Sequence, residues 1–391
     1  MGKRVGMEVS IAAAETIALI DVDVVAAYPI TPQTHIVEHL SELVANGHLD
    51  AEFIPVESEH SAMSTCVGAA AAGARTFTST SSQGYALMVE ICYIASSMRL
   101  PIVMAVANRS LSAPISIWND HSDMMLARDT GWIQTVAENG QDVVDLLIHA
   151  YRVAEDHRVL LPVMVNLDGF ILTHMIEPIY LPSREEVQAY LPPYKPLLRL
   201  DPDNPVTMGP VGVPEVYTEA KKAQDEALKN AKPVILEAWD EFEKHFGRRY
   251  RPVEVYKADD AETLLLTVGS ISETAMQAVD IMRDKGRKVG LARLRLYRPF
   301  PVEELVSVVK KAKNLIVVDR ALGFNGHVGP LCMEVKSTLF DHGIRPYVMN
   351  YVAGLGGRDV TVEDFVSMVD STEQKARAKE PMTYEIINVR E

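Results

Sequence analysis

The sequence has few cysteines, and the three that it has lie far apart. Cys66, Cys92 and Cys332 form neither a Cys-x-x-Cys motif nor the closely spaced set that an iron–sulfur cluster requires. They also exclude a disulfide framework of the kind found in small secreted domains. We therefore expect a protein of the reducing cytoplasm that holds no iron–sulfur cluster by itself.

Basic residues and long apolar runs are also scarce. Lys and Arg number 38 against 53 Asp and Glu, a formal net charge of −15, which argues against a broad surface for nucleic acid. The longest uncharged stretches are too short, or too rich in Ser, Thr and Gly, to cross a bilayer. Glu8 and Glu15 interrupt the segment where a secretory signal needs an unbroken apolar core. The sequence thus predicts neither a nucleic-acid partner nor a membrane span.

What is present is an alternation of β-rich and helix-compatible segments. At about 150 residues per domain, 391 residues allow two or three domains. The alternation predicts two open parallel-sheet α/β modules, over 1–177 and 254–391. Between them, 178–253 is predicted to be a Pro-rich arm followed by a long amphipathic helix over 215–246, which could bridge the modules or pack on a partner. The polar end, 371–391, could wrap a neighbour or lie loose.

Three segments that follow predicted strands carry candidate site residues, because ligands of open α/β sheets bind at the carboxyl ends of strands. Pro29 and Thr31 lie in a Pro-flanked turn that is either a rigid hydroxyl-bearing ligand loop or a plain turn with Thr34 as helix cap. Glu59 falls in the first turn of a helix, where it could act on a heterocyclic nitrogen or only cap the helix. Arg109 could grip a carboxylate or lie on the surface.

Three further segments of the sequence could contribute to a site. The hydroxyl-rich turn at 78–84 could hold a polar ligand, although it lacks the spacing of a phosphate-binding glycine loop. A loop dense in polar and aromatic residues, 118–132, suggests an interface or a site loop. His35 and His39, with Glu38 between them, match an inverted zinc-protease pattern, but no third ligand is tied to it.

Several motifs in order along the chain together resemble one family, the α subunits of pyruvate:ferredoxin oxidoreductases. They are YPITPQT, PVESEHSAM, TSTSSQG, LPIVMAVANR, DHSD with ARDTGW, YRPFP and AGLGGRDVT. The resemblance implies a thiamine-diphosphate pyrimidine-binding domain followed by a transketolase C-terminal-like domain. It assigns Glu59 to the aminopyrimidine ring, whose imino tautomer it stabilises, Thr31 and Arg109 to the carboxylate of a 2-oxoacid, and Pro29 to the cofactor turn.

The resemblance also implies partner chains. The sequence contains no Gly-Asp-Gly followed by Asn, the pattern that binds magnesium diphosphate. A β subunit is therefore expected to supply Mg²⁺, the diphosphate site and a [4Fe-4S] cluster, alongside γ and ferredoxin-like δ subunits. The implied reaction converts pyruvate, coenzyme A and oxidised ferredoxin into acetyl-coenzyme A, carbon dioxide and reduced ferredoxin, reversibly.

The alternatives are the same chemistry on a branched-chain 2-oxoacid or oxalate, or a non-catalytic scaffold subunit. The joint presence of Thr31, Glu59 and Arg109 argues against a scaffold. A nicotinamide-linked dehydrogenase is disfavoured because its glycine fingerprint is missing.

Overall fold

The predicted alternation is realised as two open sheets covered by helices. The computed structural model describes residues 2–390. The first unit contains, in chain order, β1 (Lys3–Glu8), α1 (Val9–Ile20), β2 (Val24–Ala27), α2 (Thr34–Ala45), β3 (Glu52–Pro55), α3 (Glu59–Ala71), β4 (Thr76–Thr80), α4 (Ser82–Ser97), β5 (Val103–Asn108), α5 (Ser122–Leu126), β6 (Ile133–Val136), α6 (Gly140–Ala154), β7 (Val163–Asp168) and β8 (Ile176–Leu181).

The second half of the chain begins with two helices that connect the units. It contains α7 (Arg184–Tyr190), α8 (Pro214–Phe246), β9 (Val253–Tyr256), β10 (Thr263–Thr267), α9 (Ile271–Asp284), β11 (Val289–Leu294), β12 (Leu296–Arg298), α10 (Val302–Val309), β13 (Asn314–Asp319), α11 (Pro330–Asp341), β14 (Tyr347–Val352), α12 (Val362–Ala378) and β15 (Tyr384–Ile386).

The sheet of the first unit has seven strands in the order β12-β6-β7-β5-β4-β2-β3. All neighbours are parallel except β12 and β6. Apolar side chains of α1, α2 and α6 bury one face, and those of α3 and α4 bury the other. The carboxyl ends of the parallel strands therefore meet at one edge, where a ligand site is expected.

The second sheet has six strands in the order β15-β14-β13-β10-β11-β9, of which only β9 is antiparallel to its neighbour. One face packs on α10 and α11 and the other on α9 and α12. A separate two-stranded antiparallel sheet joins β1 to β8. Both main sheets are thus layered α/β structures, as predicted.

The two units are interlocked by a strand that leaves its own sheet. The sequence predicts one strand over 289–296, but the structure ends β11 at Leu294 and pairs β12 with β6 of the first unit. Between the two strands, Arg295 is buried and donates hydrogen bonds to Asp142 (2.5 Å) and Glu254 (3.2 Å). Arg295 thus binds a carboxylate of each unit at the point where the chain passes from the second sheet to the first.

The expectation that 371–391 wraps a neighbour or lies loose is wrong for most of that segment. The helix α12 continues to Ala378, because Phe365, Met368 and Val369 give it a buried stripe. The chain then returns as β15, whose backbone pairs with β14. The segment looked loose because pairing with a strand more than thirty residues earlier leaves no local pattern.

The long helix is confirmed, with Pro214 at its first position and Gly247 beyond its end. Its second half is buried against α6, through Ala231, Ile235 and Trp239. Lys232 donates a hydrogen bond to Glu304 of α10 (2.7 Å), so that the helix contacts both units. No helix among residues 2–390 is long and apolar enough to cross a membrane.

His149, at the contact between α6 and α8, makes the stability of the fold depend on pH. Its ring is fully buried, stacks on Trp239 with centroids 4.9 Å apart, and lies 3.3 Å from the Ile235 carbonyl. Burial lowers the pKa of His149 from 6.5 to about 3. Between those values the unfolded chain binds a proton that the folded chain does not, so His149 makes stability fall as the pH falls below 6.5.

We predict that wild-type protein loses about 2 kcal/mol more unfolding free energy than His149→Phe between pH 7 and pH 5, because the variant lacks this titration. Urea unfolding at both pH values measures the difference. Trp239→Phe is the matched control, since it weakens the same packing but leaves the imidazole, and it should keep the wild-type pH dependence. A His149→Phe variant with that dependence would contradict the assignment.

Candidate functional site

The predicted site residues all lie at the carboxyl edge of the first sheet. Thr31 follows β2, Glu59 follows β3 and Arg109 follows β5. The structure brings Arg109 and Thr31 into contact, since the Arg109 Nη1 donates to the Thr31 carbonyl (2.9 Å). Within residues 2–390, no hydrogen bond links Glu59 to either of them.

Arg109 is not a surface arginine, since only 6% of it is exposed. Its Nε donates to the Ser116 carbonyl (2.8 Å), and no carboxylate of the described residues lies within 4.0 Å of the guanidinium. Burial lowers the pKa of Arg109, an effect that nearby Asp123 opposes. Neutral carbonyl oxygens orient this cation without neutralising it, which suits it to bind an anion.

The Pro-flanked turn presents Pro29 and Thr31 to solvent and is anchored by Gln33. The fully buried Gln33 amide donates to the Tyr28 carbonyl (2.8 Å) and accepts from the Ser79 hydroxyl (3.2 Å). The alternative with Thr34 as the helix cap is wrong, because α2 begins at Thr34 and the residue before it is Gln33. Gln33 was missed because nothing in the local pattern shows that it reaches a neighbouring strand.

Glu59 is the first residue of α3 and is 7% exposed, but it does not cap the helix. Ser58 is the cap, and its Oγ accepts from the Ser61 amide (3.2 Å). The Glu59 carboxylate lies against Gly84, where a Cβ atom would be 2.6 Å from its Oε1. The Thr80 Oγ1 lies 2.6 Å from the same point, and no described residue hydrogen-bonds the Glu59 carboxylate.

Thr80, in the 78–84 segment, has a hydroxyl beside Glu59 that lacks a partner, as the Thr78 hydroxyl also does. Its Oγ1 is fully buried and makes no hydrogen bond with any described residue. Ser81 and Ser82 donate instead to the carbonyls of Ala107 (2.7 Å) and Ser110 (2.6 Å). Glu59, Thr80 and Gly84 therefore form a small polar recess that a ligand with donor and acceptor groups would complete. Gly84, an unusual residue in a first helical turn, was the sequence signal for this close approach.

The two histidines of the zinc-like pattern are bound separately. His35 contacts Glu8 (2.6 Å) and His39 contacts Glu15 (2.8 Å). Across residues 2–390, no three His, Cys, Asp or Glu side chains are grouped so that they could hold a metal ion.

The polar and aromatic loop that follows Arg109 is an interface between the two units. The Gly357 amide donates to the Asn119 carbonyl (2.6 Å), and the His121 amide donates to the Arg320 carbonyl (2.8 Å). Trp118, half exposed, packs on Phe170 with centroids 4.5 Å apart. Helix α5, which follows this loop, contains Asp123, a fully buried carboxylate, and burial raises its pKa to about 6.

Comparison with known families matches both units. Residues 15–240 match the family described as pyruvate flavodoxin/ferredoxin oxidoreductase, thiamine diphosphate-binding. Residues 261–365 match pyruvate:ferredoxin oxidoreductase core domain II.

Individual relatives are similar over nearly the whole chain. Pyruvate synthase subunit PorA of Methanocaldococcus jannaschii is 52% identical, with 93% of each chain covered. The PorA of Thermotoga maritima is 50% identical over 92% of this chain and 93% of its own. Ketoisovalerate oxidoreductase subunit VorA of Pyrococcus horikoshii is 45% identical, with coverages of 89% and 88%.

Two solved structures share the fold. One is the 2-oxoglutarate:ferredoxin oxidoreductase of Magnetococcus marinus with 2-oxoglutarate, coenzyme A and succinyl-CoA bound, at a TM-score of 0.71 and 21% identity. The match covers 94% of this chain but only 65% of that one. The other is a split-gene transketolase, at a TM-score of 0.57 and 14% identity over 94% of this chain and 99% of its own.

The two roles considered for Glu59 differ in their effect on stability. We predict that Ser58→Ala lowers the unfolding free energy by about 1 kcal/mol, because it removes the cap of α3. Glu59→Gln should not lower it, since removing a buried charge that has no partner offsets the lost interaction with the helix dipole. Urea unfolding of the two variants tests this. A loss for Glu59→Gln as large as that for Ser58→Ala would show that Glu59 serves mainly to stabilise the helix.

Proposed function

Because this chain belongs to the pyruvate:ferredoxin oxidoreductase family, we propose that it is the α subunit of an enzyme that oxidatively decarboxylates pyruvate. The other substrate is coenzyme A, the products are acetyl-coenzyme A and carbon dioxide, and the electrons reduce ferredoxin. The reaction is reversible. Residues 1–177 form its pyrimidine-binding domain, 178–253 the connecting arm and helix, and 254–391 the transketolase C-terminal-like domain.

The observation that carries this proposal is that the buried carboxylate of Glu59 makes no hydrogen bond with any described residue. Thiamine diphosphate, when bound, supplies the carbon nucleophile for the 2-oxoacid and the ring that takes up electrons on decarboxylation. The recess fits its aminopyrimidine, because it offers one buried carboxylate without a protein partner and the unpartnered Thr80 hydroxyl, which the absence of a Cβ at Gly84 allows to lie close together. Glu59 would hold a proton shared with a ring nitrogen, while Pro29 lines the adjoining turn.

Arg109 and Thr31 are proposed to hold the carboxylate of the 2-oxoacid. The guanidinium is already fixed by the Thr31 and Ser116 carbonyls, so little side-chain freedom is lost on binding. Thr31, whose carbonyl contacts this guanidinium, is an exposed residue, and its hydroxyl can donate a second hydrogen bond to the substrate. Charge held at this position stabilises the bound substrate until decarboxylation removes the carboxylate.

The remaining cofactors are proposed to reside on partner chains. The relatives named above include subunits, PorA and VorA, so this chain is expected to act within a complex. We propose that a β subunit supplies Mg²⁺, the diphosphate site and a [4Fe-4S] cluster, and that γ and δ subunits complete a cytoplasmic assembly.

We predict that Glu59→Gln lowers the kcat of the reconstituted complex about a hundredfold or more, because an amide cannot exchange a proton with the pyrimidine ring. The assay is coenzyme-A-dependent reduction of a viologen dye, with assembly checked by gel filtration. Glu57→Gln is the matched control, since Glu57 lies two residues earlier but is exposed and bonded only to Ser61. Unaltered activity of Glu59→Gln in an intact complex would refute the catalytic role and favour a scaffold subunit.

We further predict that Arg109→Lys raises the KM for pyruvate about tenfold or more, because lysine cannot keep both carbonyl contacts while binding a carboxylate. The same assay with 2-oxoisovalerate, 2-oxoglutarate and oxalate identifies the substrate. Pyruvate should give the highest kcat/KM. Preference for 2-oxoisovalerate, the class of substrate named for the VorA relative, would correct the substrate but keep the chemistry.

A further inference from the structure

We propose that Asp123 is a positioning residue that fixes Arg109, the proposed carboxylate-binding group, relative to the turn that faces Glu59. This inference rests on the proposed function of Arg109. Asp123 touches neither the guanidinium nor the Glu59 recess, and its carboxylate acts through two segments of main chain.

The Asp123 carboxylate binds four N–H groups in the interior of the first unit. Its Oδ2 accepts from the main-chain amides of Ser82 (2.9 Å) and Arg109 (3.0 Å). Its Oδ1 accepts from the Asn108 side-chain amide (2.9 Å) and the Met124 main-chain amide (2.8 Å). Every contact is a donor to oxygen, and the residue has no exposed surface. The site is therefore built for a carboxylate and for no other side chain of that size.

The single oxygen Oδ2 joins the two turns that carry the proposed site. Arg109 is the first residue after β5, and Ser82 is the first residue of α4, two positions before Gly84. Ser82 has a φ of +48°, in the left-handed region that a serine adopts at a cost. Such a conformation persists only where surrounding contacts hold it, and the hydrogen bond from the Ser82 amide to Asp123 is one of them. The Ser82 hydroxyl then donates to the Ser110 carbonyl (2.6 Å), which ties the same two turns a second time.

Replacing Asp123 by asparagine changes the hydrogen-bonding groups of the side chain but hardly changes its volume. An amide offers one oxygen and one NH₂ group, so one pair of N–H donors must face another donor. Leaving buried N–H groups without an acceptor is costly, and the turns would separate to avoid it. Because Arg109 is oriented only by its main chain and two carbonyls, a shift of this turn moves the guanidinium off the substrate carboxylate.

The experiment compares Asp123→Asn, Arg109→Lys and the double variant in the reconstituted complex. We expect Asp123→Asn to raise the KM for pyruvate about tenfold and to leave the KM for coenzyme A unchanged. In the double variant the increase should be well below the product of the two single effects, because both changes remove the same interaction.

Asp145→Asn is the matched control. Asp145 is also a buried carboxylate, and it also accepts from four donors, which belong to Arg248, Tyr250 and Gln141. None of these residues belongs to either turn, so this variant should lose stability without a change in the KM for pyruvate. If Asp123→Asn does not assemble, Asn108→Ala loosens the carboxylate while leaving it in place, and a smaller increase in the KM for pyruvate is expected.

The outcomes separate this inference from the proposed function. If Arg109→Lys raises the KM for pyruvate but neither Asp123→Asn nor Asn108→Ala does, the positioning role is refuted. The same conclusion follows if Asp145→Asn raises that KM as much, or if the single effects multiply in the double variant. If Arg109→Lys itself leaves the KM unchanged, the carboxylate-binding role fails first.

Discussion

The architecture depends on one buried carboxylate, Asp168, at the end of β7. It has no exposed surface, and it accepts hydrogen bonds from Arg320 (2.7 Å), His121 (2.8 Å) and the Ser270 amide (2.8 Å). Burial favours its neutral form, but Arg320 and His121 outweigh burial and hold the pKa of Asp168 well below its usual range. Arg320 follows β13 and Ser270 follows β10, so this cluster fastens the carboxyl edges of the two sheets together.

The contact between the two carboxyl edges gives the second unit a structural role beside the proposed site of the first. The carboxyl edge of an open sheet is where ligands bind, and in the second unit part of that edge contacts the loop 118–121 of the first, through Arg320 and Gly357. Gly269 has a φ of +76°, and a Cβ there would lie 2.9 Å from an Asp168 oxygen, so the close approach of the two units at this point requires glycine. The second unit thus supports the loop that leads into α5, and α5 contains Asp123, the carboxylate proposed to position Arg109.

Parts of this arrangement could be read from the sequence. Arg109 stands directly after a β-rich run and Glu59 follows another after a short turn, so their place at the sheet edge followed from local pattern. Asp123 and Asp168 could not be found in that way, because the N–H groups and cations that surround them come from segments up to 152 residues away. The exit of β12 to the other sheet was missed for the same reason: 289–296 is a continuous strand pattern, and the carboxylates that bind Arg295 at its interruption, Asp142 and Glu254, are remote in sequence.

A chain of net charge −15 can still hold a site for an anion, because the described carboxylates leave the Arg109 guanidinium without an ion pair. Arg295 and Arg320 are as buried as Arg109, and each is paired with at least one carboxylate, which cancels the cost of burying a cation. Arg109 has only neutral carbonyl oxygens against its guanidinium among the described residues. Its charge is therefore only partly compensated within the chain. In the proposed site, the carboxylate of a 2-oxoacid would be the pairing partner that the other buried arginines find within the chain and that Arg109 lacks.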